Sequence, residues 1–527
     1  MKKINAYDIL AVLIITVTTF ALLVRFDIFP VFVDIYYHTS VVVSFDKVGG
    51  IVLWDFWEFA PAGRPHLYPP LLHSVMLLLS EFADYMTVAK FTSFIMVPLS
   101  QMTVWVFSRD ILSRKTGFYS VLVLTSSVEY FRLQVITSAA ALVLVLVPLA
   151  FYAFEKKKYV AAVIILTSCL YTHVSMGPLV VGSFLLYGVL EREKLREAAK
   201  IITMSLILYL PWGIHLLINI GSLSSNSPPS SGSLMIFPLI FGITGIVICM
   251  KRKKEFLIPV CILVCMIPIA FSYPGRFAGH SVLPLALLSG VALSWMDSKI
   301  MGKKKMFFVL GALLVLSVIA PTISMRSESR GVQQQSQQVR LQQLSQQLLQ
   351  HLPQQQLQQE PPQGRQLQES REREQKRFFL RTESLLVSLT RMQSDSYLTA
   401  DNLKMAEIVR RNSQEREIVF IPGGIMGCFV TATTGRPQTL GMWQEVASDY
   451  EPDPKSASVF VLPREGRIPR ELVKLGETDR WLVFRAPQKQ MVDIPDATIP
   501  KGVVYVVMVA AFCTLVYDFL HKRRVLT

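Results

Sequence analysis

What most confines this chain is where its charge is missing. Apolar residues gather into blocks of about 17 to 25 that carry almost no charge, long enough as helices to cross a hydrocarbon layer roughly 30 Å thick. The 527 residues are 51% hydrophobic and only 17% charged, which excludes a soluble multidomain protein and a disordered chain alike. The blocks lie near 8–28, 87–107, 116–129, 136–154, 159–172, 174–190, 199–219, 233–250, 256–272, 280–296, 306–324 and 502–520. They predict a polytopic α-helical membrane protein of about twelve transmembrane helices, the last near the carboxy terminus. The first block is too long for a signal-peptide core and no small-residue cleavage site follows it, so it reads as an anchor.

The net charge of +15 would fit a nucleic-acid partner if the cations formed one face. They do not. Alternate short loops from Lys2 to Arg524 hold 23 Lys and Arg, whereas the intervening loops ahead of residue 326 hold four: Lys47, Arg64, Arg132 and Arg276. That asymmetry is the positive-inside pattern. It predicts cytoplasmic termini, an external 326–500 region, a plasma-membrane location and no nucleic-acid partner.

Five of the six cysteines, Cys169, Cys249, Cys261, Cys265 and Cys513, fall inside apolar blocks, and only Cys428 lies in a polar region. This pattern supplies neither a disulfide framework nor a zinc site of the usual spacing. One apolar stretch, Tyr68 to Phe82 after a proline pair, is too short to span, and counting it as a crossing would invert every later basic loop. It reads as a helix lying at the membrane surface within a long first external loop, 29–86.

The transmembrane bundle then occupies 1–325. Residues 326–396 form a Gln-rich linker, with Leu341, Leu344 and Leu348 at helical spacing. Residues 397–500 read as a small external α/β domain, and 501–527 as the C-terminal transmembrane helix. Within that domain, Thr399 caps a helix to Asn412 with Leu403, Ala406 and Ile408 inward, and 418–421, 459–462 and 481–484 read as strands.

Polar groups at the mouth of a helical bundle are expensive to place and point to function. The predicted external ends collect many of them. The first loop contributes Asp34, Tyr36, Tyr37, His38, Asp46, Asp55, Trp57, Glu58, Arg64, His66 and Tyr68. The third crossing ends in Glu129 and Arg132, His173 lies in a short hairpin, and Arg276 and His280 join the ninth and tenth crossings. Carboxylates facing arginines suit a divalent metal (Mg or Mn) with a phosphate. Glu129 and Arg132, three apart on a helix end, also read as a mutual ion pair.

The order Val33-Asp34-Ile35-Tyr36-Tyr37-His38, Trp54-Asp55, Pro61-Ala62-Gly63-Arg64 and Tyr68-Pro69-Pro70-Leu71 resembles the first external loop of the GT-C membrane glycosyltransferases, above all the catalytic subunit of oligosaccharyltransferase. Arg276-Phe277 ahead of Leu283-Pro284-Leu285-Ala286 is similar to that family's late external loop. The resemblance implies a metal-assisted transfer of a sugar or oligosaccharide from a polyprenyl-(di)phosphate carrier, at the outer face, to a glycan, lipid or protein acceptor. It makes Asp34 the catalytic and metal-binding carboxylate, with Glu129 as second metal ligand. Tyr37, His38, Arg64, Arg132, His173 and Arg276 become substrate-binding residues, among membrane lipids.

Three family features are missing. The second Asp-x-Asp motif is replaced by Ser127-Val128-Glu129, no Trp-Trp-Asp-Tyr-Gly element occurs in 397–487, and the loop from Gly221 to Ser233 has no acid. Two other classes of function compete. A transporter predicts ionisable residues at mid-membrane and two similar halves, neither of which the sequence has. A non-catalytic assembly protein would use the external domain and the Gln-rich tract as binding surfaces.

Overall fold

A computed structural model describes residues 5–31, 33–136, 139–223, 232–251, 254–272, 274–300, 303–318, 321–325, 380–382, 393, 397–442, 453–465 and 471–520. The Gln-rich tract lies outside the described residues. Fourteen helices come first: α1 (Ala6–Val24), α2 (Asp34–Val48), α3 (Leu71–Ser80), α4 (Tyr85–Phe107), α5 (Arg114–Ser126), α6 (Val128–Val135), α7 (Ala139–Glu155), α8 (Tyr159–Leu170), α9 (Met176–Leu190), α10 (Leu195–Ile218), α11 (Ile236–Met250), α12 (Ile258–Ser272), α13 (Pro274–Lys299) and α14 (Lys303–Val318). Later come α15 (Ala400–Arg411), α16 (Gly424–Thr434) and α17 (Lys501–Leu520).

Each of the twelve apolar blocks contains a helix. Five helices are long and apolar enough to cross a membrane alone, and α6 with α7 makes a sixth if the bent pair counts as one span. The others are 10–17 residues long. Burial ranks them: the apolar window of α13 is 94% enclosed, against 22% for α1, 17% for α10 and 11% for α17. So α13 is the axis of the bundle, and the other three expose apolar faces suited to lipid. Gly245 of α11 lets that axis be approached closely, since a Cβ there would collide with the Leu288 backbone.

Two blocks were drawn too long. Residues 233–235 and 321–324 are not helical: β4 (Gly232–Met235) and β5 (Pro321–Met325) pair antiparallel, with β6 (Leu380–Thr382) on the far side of β5. Pro321 cannot continue α14, and β-branched Thr322 and Ile323 favour the extended form.

The first loop is more ordered than its polar sequence implied. Asp34 opens α2 at its positive end, and Gly49 closes it in the left-handed conformation with φ +84°. Short strands β1 (Gly50–Ile51), β2 (Trp54–Asp55) and β3 (Arg64–Pro65) follow, and then α3, the helix expected at 68–82.

Residues 397–500 contain a four-stranded sheet in the order β7 (Val419–Phe420), β8 (Val459–Pro463), β10 (Trp481–Arg485), β9 (Val473–Glu477). The β7–β8 pair is parallel and the rest antiparallel. Thr399 does cap α15, accepting from Asn402 N. Leu403, expected inward, is 45% exposed; the inward face is Asn402, Met405, Ala406 and Val409, the i, i+3, i+4, i+7 stripe. Strand β11 (Ile499–Pro500) pairs with β1, tying the start of α17 to the first loop.

Candidate functional site

The first loop folds back on itself because its turns demand it. Gly63 has φ +69°, and a Cβ there would lie 2.6 Å from Asp55 O and 2.7 Å from Trp54 Nε1, so only glycine fits between Pro61 and Arg64. Trp54 Nε1 donates to Ala62 O at 2.9 Å and closes the turn. This brings Arg64 inward, where its guanidinium meets Glu58 at 2.6 Å with both side chains fully buried. The same guanidinium lies 5.7 Å from the centre of the Tyr37 ring.

Asp55 sits beside this pair, accepting from Trp57 N at 2.7 Å and Ser44 Oγ at 3.0 Å. Burial and the Glu58 charge push its carboxyl well above the ordinary range.

Behind the arginine lies a cluster of imidazoles. All six histidines among the described residues belong to it: His38 on α2, His66 after β3, His73 on α3, His173 between α8 and α9, His215 on α10 and His280 on α13. His38 Nδ1 and His73 Nε2 are 2.9 Å apart. His66 packs 5.6 Å from His73 and 5.9 Å from Trp212, and its carbonyl contacts His215 Nε2 at 2.9 Å. The Tyr68 ring lies 5.5 Å from His38 and 5.8 Å from His173.

Arg276, at the start of α13, is the cation of this group. Burial and then its charge push His38 down to about 3, and the same two causes hold His173 well below the usual histidine value. His280 follows Arg276 by one helical turn on the same face. Imidazoles beside the Arg276 charge are suited to receive an anion such as a phosphate, by charge and hydrogen bonds.

A second wall comes from the carboxy-proximal region. Helix α16 packs along α2, with the Phe429 ring 5.3 Å from Tyr36. Cys428 Sγ donates to Glu58 Oε1 at 3.1 Å, Met442 N donates to the same oxygen at 3.2 Å, and Trp57 Nε1 donates to Gly435 O. Lys501 adds salt bridges to Asp46 and to Glu81 at 2.8 Å. The first loop is thus held between the bundle and the later sheet.

The residues singled out from the sequence land in different places. Tyr37, His38 and His173 come together around Tyr68, and the charge of Arg276 reaches His38 and His173. Asp34 lies on the face of α2 that carries His38 one turn on. Arg64, expected to bind substrate, pairs with Glu58 inside the loop and shapes the wall. Glu129, expected as a metal ligand, lies 3.4 Å from Arg132, the i,i+3 pairing that the helix end allows.

Among the described residues no three His, Cys, Asp or Glu side chains come together as a metal-holding group. His73 was not singled out, because it sits in an apolar helix with no motif around it. Helix α16 carried no signal either, since its partner lies in the first loop, hundreds of residues away.

Five of the chain's described helices are long and apolar enough to cross a membrane, and its fold is similar to those of ArnT and of an archaeal oligosaccharyltransferase. It superimposes on ArnT from Cupriavidus metallidurans in the apo state with a TM-score of 0.52 at 12% identity, covering 90% of this chain and 99% of that one. On the apo oligosaccharyltransferase of Archaeoglobus fulgidus the TM-score is 0.51 at 11% identity, covering 84% of this chain and 65% of that one. The chain therefore spans a little under two thirds of the archaeal protein's length, and at such identities the likeness is one of fold. By sequence, no family model and no curated protein matches it.

Proposed function

We propose that the chain is a membrane glycosyltransferase that moves a sugar or oligosaccharide from a polyprenyl-phosphate or polyprenyl-diphosphate carrier to a glycan, lipid or protein acceptor on the outer face of the membrane. The observation that carries this reading is the meeting of the first-loop helix with the late Arg276. The charge of Arg276 reaches His38, and Asp34 stands one turn from His38 on α2. A full-length GT-C fold supplies the setting.

In this reading the isoprenoid lies against the apolar helix faces and its phosphate enters the imidazole pocket. As the anomeric C–O bond breaks, negative charge grows on the departing lipid phosphate, and Arg276 stabilises it electrostatically. Asp34 receives the proton from the acceptor's attacking oxygen. Tyr37, His38 and Tyr68 shape the space for the sugar, and Arg132, which pairs with Glu129, is the second cation that meets the phosphate. Cytoplasmic termini and an external carboxy-proximal domain complete the proposed topology.

The test is Asp34→Ala, with Asp34→Asn as the isosteric control, assayed for sugar transfer from a polyprenyl-linked donor in membranes. Loss of a general base costs about 10²- to 10⁴-fold. Unchanged transfer by a folded variant would remove Asp34 from the mechanism.

A further inference from the structure

His173 sits in the turn between α8 and α9, and its contacts fix which ring nitrogen bears hydrogen. The backbone amides of Ser175 and Met176 lie 3.2 and 3.3 Å from Nδ1. A backbone N–H can only donate, so Nδ1 is the acceptor, and in the neutral ring the hydrogen is on Nε2. These two amides belong to the amino end of α9, whose partial positive charge opposes protonation of the ring. Burial and the Arg276 charge act in the same direction.

Beyond the helix, the neighbours of the ring are Tyr68, 5.8 Å away, the charge of Arg276, and the rings of His280 and His38. His280 is 1% exposed, and its Nδ1 has no hydrogen-bond partner among the described residues. A buried ring with an unmatched polar atom therefore stands near the half-buried His173. Such a place is suited to a ligand with several acceptor oxygens.

We propose that His173, locked as the Nε2–H tautomer by the first amides of α9, is a neutral hydrogen-bond donor to a phosphate monoester held by Arg276. The proposal rests on the glycosyltransferase reading for the source of that phosphate, a lipid carrier, and on the contacts of Nδ1 with the α9 amides for the role of the ring. A neutral donor has a specific advantage here. It binds the phosphate oxygens without adding a second full charge, so it does not hold the departing lipid phosphate after transfer as tightly as another arginine would.

The rival role for His173 is purely structural, as the cap of α9, and one substitution separates the two. In His173→Asn the amide oxygen still accepts from the helix amides, which makes asparagine a good cap, but the side chain is too short to reach the phosphate. The measurements are binding of undecaprenyl phosphate and, separately, inorganic phosphate to the full-length protein in detergent, for wild type, His173→Asn and His173→Gln.

The expected result is intact folding with about ten- to hundredfold weaker phosphate binding for His173→Asn, the scale of one hydrogen bond to a charged group. His173→Gln, whose longer amide can still donate, recovers part of the loss. Equal affinity in wild type and His173→Asn overturns the proposal. If inorganic phosphate binds in a His173-dependent way and undecaprenyl phosphate does not compete, the donor role stands and the lipid-carrier reading falls. If wild type binds neither probe, both fall.

A second readout does not depend on binding. In histidine-¹⁵N-labelled protein, the ring signal lost in His173→Asn should be that of a neutral Nε2–H imidazole from about pH 6 to 8. A cationic ring or the Nδ1–H tautomer refutes the lock.

Discussion

Arg64 and Glu58 are buried together, so removing the arginine alone should open the seam between the first loop and α16. In Arg64→Met the Glu58 carboxylate keeps two donors on Oε1, Cys428 Sγ and Met442 N, and loses the guanidinium at 2.6 Å on Oε2. Leaving one buried charge without its partner costs about 3 to 5 kcal/mol. Cys428 reports the opening directly. It is fully buried, its thiol is held well above the ordinary range by burial and by the Glu58 charge, and it can be alkylated only when the seam parts. At about 1.4 kcal/mol per tenfold, the variant should expose Cys428 roughly two to three and a half orders of magnitude more often.

The assay is the rate of Cys428 alkylation in the full-length protein, followed by peptide mass spectrometry, with the rate in the denatured protein as the reference. Adding Glu58→Gln to Arg64→Met should recover most of the protection, because the amide oxygen still serves Cys428 and Met442 while the stranded charge is gone. An Arg64→Met protein that shields Cys428 as well as wild type would refute the account of this pair. A double variant no better protected than the single one would do the same.

Asp55 gives a pH test of known sign. Its folded carboxyl holds a proton that the unfolded chain releases above about pH 4, so the stability it contributes is present below that and falls as pH rises through the folded value. Asp55→Asn, whose amide oxygen still accepts from Trp57 N and Ser44, should gain on wild type between pH 5 and 8 in thermal melts; a pH-independent difference refutes this. On the opposite side of the bundle, Asp518 of α17 accepts from Ala161 N at the start of α8, at 3.1 Å. Asp518→Ala should cost about 0.5 to 2 kcal/mol, and a melting temperature unchanged from wild type would show that this contact does not act as a cap.

How much of this was legible in the sequence depended on range. The apolar blocks announced their helices because lipid requires long uncharged runs, and the proline pair before α3 marked a stretch too short to span. The order of Asp34, Trp54-Asp55, Gly63-Arg64 and Tyr68 announced the first loop. Its turn chemistry is local, as the clash that forces glycine at 63 shows.

What was not legible is what the chain brings together from afar. Arg64 looked like a substrate ligand because nothing nearby in sequence foretold that Glu58 would be sealed from above by Cys428 and Met442. His73 hid in an apolar helix because a histidine without a motif carries no periodic signal. β4 and β5 were lost in apolar blocks for a related reason: short hydrophobic runs satisfy strand and helix equally. Leu403 was misplaced by a shift of the helical stripe, which only the sheet beneath α15 fixes.

The pairing of β1 with β11, reinforced by Lys501, sets an order of events. A ribosome makes Gly50 and Ile51 long before their partners Ile499 and Pro500, so the loop that frames the pocket must wait through the synthesis of everything between them for its closing clasp. Until then its polar face has no counterpart, and a truncated product would present an unfinished cleft.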